Sequence, residues 1–146
     1  MNTNFDKIPI LSCVNVQSLD NLRNQLKRAS NHVLELNGKE IKDAASFFAE
    51  VKQKFPLDPP LQKGGWDAFS DSFWGGLDEI KKPQVAIIWV CSENIVEKAL
   101  ADFLTAIDCL LQVARDVATS AYGISIPVKV HIFLIGSGVS YKSFEG

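Results

Sequence analysis

The feature that most restricts the fold is the stretch Gln84 to Ser92, nearly continuous apolar sequence with β-branched residues in its middle. Successive side chains of a strand point to opposite faces, so a strand covered on one side alternates apolar and polar residues. An uninterrupted run reads instead as a strand buried on both faces, as in parallel sheets covered by helices. Ile8–Val16, His32–Leu36 and Ile126–Ile135 are further strand candidates, rich in β-formers. Helical spacing fills the intervals. Ser18 is placed to cap a helix that carries Leu19, Leu22 and Leu26 on one face and ends near Ser30. Asn37-Gly38 is a turn signal. From Ile41 to Phe55, the residues Ile41, Ala44, Ala45, Phe48 and Val51 or Phe55 recur at helical spacing, and Pro56, Pro59 and Pro60 end that helix in a stiff loop. Gly64-Gly65 closes the loop, and a second helix starts at about Trp66 with Gly75-Gly76 as its natural C-cap. Asn94–Ser120 reads as helix throughout, in one piece or two, closed by Tyr122-Gly123. Strands alternating with helices imply parallel pairing and an α/β sandwich. The small, polar tail from Gly136 to Gly146 is expected to be loose. No linker and no internal repeat stands out, so residues 1–146 read as one domain.

Composition narrows the functional classes. A length of 146 residues, 47% of them hydrophobic and 22% charged, is that of an ordinary globular chain with a real core. A net charge of only −2 argues against nucleic acid as a direct partner, which needs a basic surface. The apolar runs are too short to cross a bilayer, and Met1–Lys7 is polar without a signal-peptide pattern, which predicts a cytoplasmic chain that makes no membrane contact. Cys13, Cys91 and Cys109 cannot all pair and lie in apolar stretches, so they read as buried free thiols of a reducing compartment; their scatter has no metal-ligand spacing, and no cofactor is expected. Charge is uneven, however. Between Leu57 and Ile80 five acids (Asp58, Asp67, Asp71, Asp78 and Glu79) face one base, Lys63, a net −4 against +2 for the rest of the chain.

On a helix of about 100° per residue, Trp66, Phe69 and Phe73 fall within roughly 60° of one another and form a core face. Asp67, Asp71 and Trp74 share a second face, turned from the first by more than about 90°. Like charges at i, i+4 cost a helix about 0.2–0.5 kcal/mol. Asp67 in the first turn regains something from the helix dipole, whereas Asp71 lies too deep for that. A surface that is locally unfavourable yet concentrated suits a partner. The competing structural reading is a solvated acidic face with Trp74 folded back onto the loop Pro59–Gly64.

Four ordered segments resemble the barstar family of ribonuclease inhibitors. Leu36-Asn37-Gly38-Lys39-Glu40-Ile41 and the helix through Phe55 resemble its first strand, turn and helix. Gly65-Trp66-Asp67-Ala68-Phe69-Ser70-Asp71 resembles its Gly-rich loop followed by two acids on the second helix. Pro83 with Val85–Trp89 is similar to its second strand, and Leu111-Gln112-Val113-Ala114-Arg115-Asp116 to its last helix. The resemblance spans about Leu34 to Ile135. It implies a parallel three-stranded sheet with flanking helices, four-stranded if the N-terminal segment adds a strand. On that frame residues 1–30 are a β-α extension, 31–136 the barstar-like core and 137–146 a tail. It further implies a non-enzymatic bacterial inhibitor, an antitoxin or immunity protein, whose second helix enters the cleft of a cognate ribonuclease as a monomer or in a 1:1 heterodimer with the toxin. Asp71 matches the acid that takes the place of a substrate phosphate, Asp67 a second interface acid, and Asp116 an acid of the last helix. Gly64, Gly65 and Ala68 match positions that press on the enzyme. With Trp66, Ser70, Trp74 and Gly75, these make up the expected partner-binding set. Gln62 and Lys63 stand where the family has an aromatic pair, Ser70 where it has an aromatic, Trp74 where it has a small polar residue, and Ser120 where it has a further acid. The loop after Gly64 is one residue shorter. These departures imply a cognate toxin other than barnase.

Two rival functional classes share some of these features. An acid pair can serve glycoside hydrolysis, but Asp67 and Asp71 project side by side from one helix turn, and that chemistry wants carboxylates opposed across a cleft. His32 and His131 lie in or beside predicted strands and read as structural, and Gly136-Ser137-Gly138 lacks the rest of a nucleotide loop. The other class is a barstar-fold binding module for a non-nuclease toxin or a regulatory partner, which would carry the same acidic helix.

Overall fold

The computed structural model describes residues 3–144. Among these residues four strands and five helices follow one another: β1 (Leu11–Asn15), α1 (Leu19–Arg28), β2 (His32–Asn37), α2 (Ala44–Lys54), α3 (Trp66–Ile80), β3 (Gln84–Val90), α4 (Glu93–Lys98), α5 (Leu100–Val117) and β4 (Lys129–Gly136). Every pairing is parallel, in the order β1-β4-β3-β2. The N-terminal segment does add a fourth strand, with Leu11 opposite Ile132 and Asn15 opposite Gly136.

The apolar run of β3 divides between two cores. Val85, Ile87 and Trp89 enter the larger one, with Phe47 and Val51 of α2, Phe69, Phe73 and Leu77 of α3, and Leu110, Val113 and Val117 of α5. Ala86 and Ile88 enter the smaller one, with Leu22 and Leu26 of α1, Phe5, Phe133 and Ile135. A strand with both faces covered has no solvent side on which polar residues could alternate. The chain leaves β1 at one edge of the sheet and enters β2 at the other, so α1 crosses the second face and roofs it.

Several expectations are corrected. α2 starts at Ala44 rather than Ile41, because the Asp43 carboxylate accepts the Ser46 amide at 2.9 Å while the Ser46 hydroxyl accepts the Asp43 amide at 3.1 Å. Its core face includes the fully buried Phe47, and Ala45 is exposed. Ser18 does not cap α1; its hydroxyl accepts the amide of Phe144 at 2.9 Å. β4 begins at Lys129, after Pro127 and the exposed Ile126. The long C-terminal helical region takes the two-piece form, one of the two expected, with the break at Ala99, whose φ of −154° is not helical. The three thiols are free but half-buried.

As far as Phe144 the tail is not loose; residues 145–146, which the same expectation covered, lie outside the described residues. The Lys142 carbonyl accepts the Asn15 amide at 2.7 Å, and the Lys142 amide donates to the Cys13 carbonyl at 3.1 Å. The Tyr141 ring lies against Gly136, its hydroxyl 3.0 Å from that of Ser92, and Phe144 stacks on Phe5 with centroids 6.2 Å apart. Two aromatic residues outweigh the small, polar composition around them. Among the described residues no helix is long and apolar enough to cross a membrane.

Candidate functional site

α3 begins where Gly65 turns the chain and its carbonyl accepts the Phe69 amide at 2.9 Å. No side chain caps this end, but Asp67 stands in the first turn, where a negative charge offsets the partial positive charge of unpaired amides. The buried face is anchored firmly. Phe69, Phe73 and Leu77 are fully enclosed, Phe69 and Phe73 stack at 5.8 Å, and Phe55 lies 4.6 Å from Phe73. Trp66 packs on Phe48 at 4.7 Å and on Phe47 at 5.6 Å.

Gly75-Gly76 is not a C-cap. α3 runs on to Ile80 and ends at Lys81, which takes a left-handed φ of 53°. The glycines serve a close approach instead: a Cβ on Gly76 would lie 1.9 Å from the Pro56 carbonyl oxygen, and one on Gly75 1.9 Å from that of Asp58. The Asp58 amide also donates to the Ser72 carbonyl at 2.9 Å. The proline-rich loop is thereby seated along the helix. Between them lies a groove of about 440 Å³, walled by Pro59, Pro60, Leu61, Gln62, Lys63 and Gly64 on one side and by Ala68, Asp71 and Ser72 on the other.

Asp67 and Asp71 are both exposed, and among the described residues neither forms an ion pair or a side-chain hydrogen bond. α3 carries four acids and no base. The acid-rich stretch splits into two roles, however. Asp78 accepts the Ser125 amide at 2.8 Å, and that N–H holds its carboxyl below the usual carboxylate range. Asp58 and Glu79 are likewise exposed and unpaired among the described residues, but Asp67 and Asp71 stand side by side one turn apart on α3, with Asp71 bordering the groove.

Gly64 and Ala68 are exposed next to this pair, while Gly65, Trp66, Ser70 and Gly75 are half-buried. Trp74 does not stand outward with the acids; it is half-buried and packs against the larger core. A helical wheel gives the direction of Cβ, and an indole is long enough to lie back along the surface from there. Asp116, on α5, is half-buried and accepts the Gln112 side-chain amide at 2.8 Å, so it already has a partner within its own helix. The seating of the loop on Gly75-Gly76 and the Asp78–Ser125 link escaped sequence reasoning. The glycine pair was the available signal for the first, since adjacent glycines inside a helix mark close backbone approach as well as an end.

This arrangement presents two rigidly held negative charges beside a shallow groove, a surface complementary to guanidinium and ammonium groups. The family model described as Barstar (barnase inhibitor) matches residues 31–131. No curated protein and no solved structure matches the chain.

Proposed function

The chain belongs to the barstar (barnase inhibitor) family, and from that premise we propose that it inhibits a barnase-type ribonuclease by placing the α3 carboxylates in the enzyme's phosphate-binding cleft. One observation carries this reading: Asp67 and Asp71 are exposed and lack partners among the described residues, on a helix whose opposite face is locked into the core. A ribonuclease has to hold a phosphodiester with cationic side chains, so its cleft is an anion site before substrate arrives. Carboxylates on a rigid helix meet that site with little ordering cost and form charge-assisted hydrogen bonds. Complementary fields also speed the encounter, which matters for an immunity protein guarding cytoplasmic RNA.

Asp71 is the central acid of the proposal. It borders both the groove and the open face, and Asp67 flanks it one turn earlier. Gly64 and Ala68 leave room for the enzyme surface, and Asp116 is a peripheral contact. The test is titration of the purified protein against a panel of barnase-type ribonucleases cleaving RNA. Near-stoichiometric suppression of at least one is expected. Truncating one partner of a buried, hydrogen-bonded charge pair costs about 2–5 kcal/mol, so Asp71→Ala should weaken inhibition by roughly 30-fold or more, with Asp67→Ala next. Undiminished inhibition by both variants would remove α3 as the plug.

A further inference from the structure

On α3 the Cβ of Asp78, itself half-buried, points the same way as those of the two proposed interface acids. At about 100° and 1.5 Å per residue, positions 67, 71, 74 and 78 fall within roughly 60° of one another, and Asp78 lies about 10 Å beyond Asp71 along the axis. Its bond to the Ser125 amide moors the segment between α5 and β4 against the C-terminal end of α3. The moored segment is ordered from within. The Thr119 hydroxyl accepts the Ala121 amide at 3.3 Å and starts a 3-10 turn over Ser120–Tyr122; Gly123, with a left-handed φ of 91°, reverses the chain; Ile124 is buried in the larger core. Between these fixed points Tyr122 is 64% exposed and Ile126 is 42% exposed. A phenol ring and a branched aliphatic chain gain little from folding when held in water on an ordered loop. Tyrosine in such a place is typical of interface anchors, because it offers a large contact area with few rotors to freeze.

We propose that the Tyr122–Ile126 loop, moored by Asp78, is a second contact element for the same cationic protein that Asp67 and Asp71 engage, an inference that rests on the function proposed above. Two observations select this occupant. The loop is continuous with the acidic face, and an interface of standard size, about 800 Å² per partner, extends roughly 30 Å across, so a footprint centred on Asp71 reaches it. A partner rich in arginine and lysine suits both elements, since a tyrosine ring face attracts cations as the carboxylates do. In this scheme Asp78 is a positioning residue, acting through the loop rather than touching the partner.

The experiment measures binding of the full chain to the same ribonuclease panel by surface plasmon resonance. Tyr122→Ala should weaken binding at least tenfold, chiefly through faster dissociation, with thermal stability unchanged because the ring is exposed. Asp78→Asn keeps an oxygen acceptor and should bind like the parent. Asp78→Ala should speed hydrogen exchange at the Ser125 amide, and its effect on binding should be less than additive with that of Tyr122→Ala. Asp71→Ala, run alongside, separates the two claims. If Asp71→Ala weakens binding and Tyr122→Ala stays within twofold of the parent, the loop inference falls and the acidic plug stands. If Asp71→Ala binds like the parent, or the parent binds no member of the panel, both fall.

Discussion

Asp71 sits where folding gains nothing from it. The nearest like charge on its helix is Asp67, one turn away, and no cation pairs with either among the described residues. Asp71→Asn is therefore expected to leave stability unchanged or raise it by up to about 0.5 kcal/mol while weakening inhibition. Urea unfolding checks this, and a loss above about 1 kcal/mol would show that the fold itself uses the carboxylate. His131 is the opposite case, a titratable group the fold encloses. Only 3% exposed, it lies 5.8 Å from the Phe5 ring, and burial pushes its pKa below the ordinary histidine value; Lys129 adds to the shift, while the Ile8 and Phe5 carbonyls and Asp6 oppose it. The unfolded chain then binds more protons than the folded one below about pH 6.5, so stability falls as pH drops from there towards the lower folded value. The carboxylates of Asp43 and Asp78, held low by Ser46 and Ser125, contribute stability that is lost only below about pH 4. The melting temperature should thus decline between about pH 7 and pH 5. In His131→Phe that slope should flatten; an unchanged slope would assign it elsewhere.

At the scale of the element, α3 depends on its loop as much as on its own residues. Gly75 and Gly76 would be weak positions by helix propensity alone, since alanine is better there by about 1 kcal/mol. Carbonyl oxygens 1.9 Å from each missing Cβ reverse the sign. Gly76→Ala has to push Pro56 away from the helix, and overpacking of this kind costs about 1–3 kcal/mol. The expected result is a net loss of stability in urea unfolding, together with weaker inhibition as the groove beside Asp71 opens. A more stable variant would mean that the loop is not seated as described. Reading the pair as a C-cap used the commonest meaning of glycine near a helix end; the competing meaning, backbone contact, depends on a segment some twenty residues earlier in the chain. Trp74 departs from the wheel for a related reason, because a wheel knows nothing of the core surface against which the indole rests.

On the scale of the whole molecule, a net charge of −2 hides a strongly polarised chain, with −4 concentrated between Leu57 and Ile80. If that polarity guides the partner, raising salt from about 0.1 M to 1 M, which shortens the screening length from about 10 Å to 3 Å, should slow association far more than it hastens dissociation. Stopped-flow mixing with the inhibited ribonuclease reads this directly, and a salt-independent on-rate would count against steering. The sheet itself was largely legible. The unbroken apolar run of β3, the Asn37-Gly38 turn and the 3.6-residue spacing of α1 and α3 are local patterns imposed by burial, and burial on a regular element leaves its period in the sequence. So does the charge of α3, which made Asp67 and Asp71 visible as candidates. Local patterns could not decide what happens between distant segments: α1 roofing the second face, Tyr141 and Phe144 tying down the tail, Asp78 holding Ser125, and Gly75-Gly76 receiving the proline loop. Each is a contact between residues far apart in the chain, whose geometry exists only once the sheet has brought them together. The sequence alone therefore determined which residues are apolar, periodic or charged. The tertiary structure decided which of the charges remain free to meet a partner, because a carboxylate is open or satisfied according to what the fold places beside it.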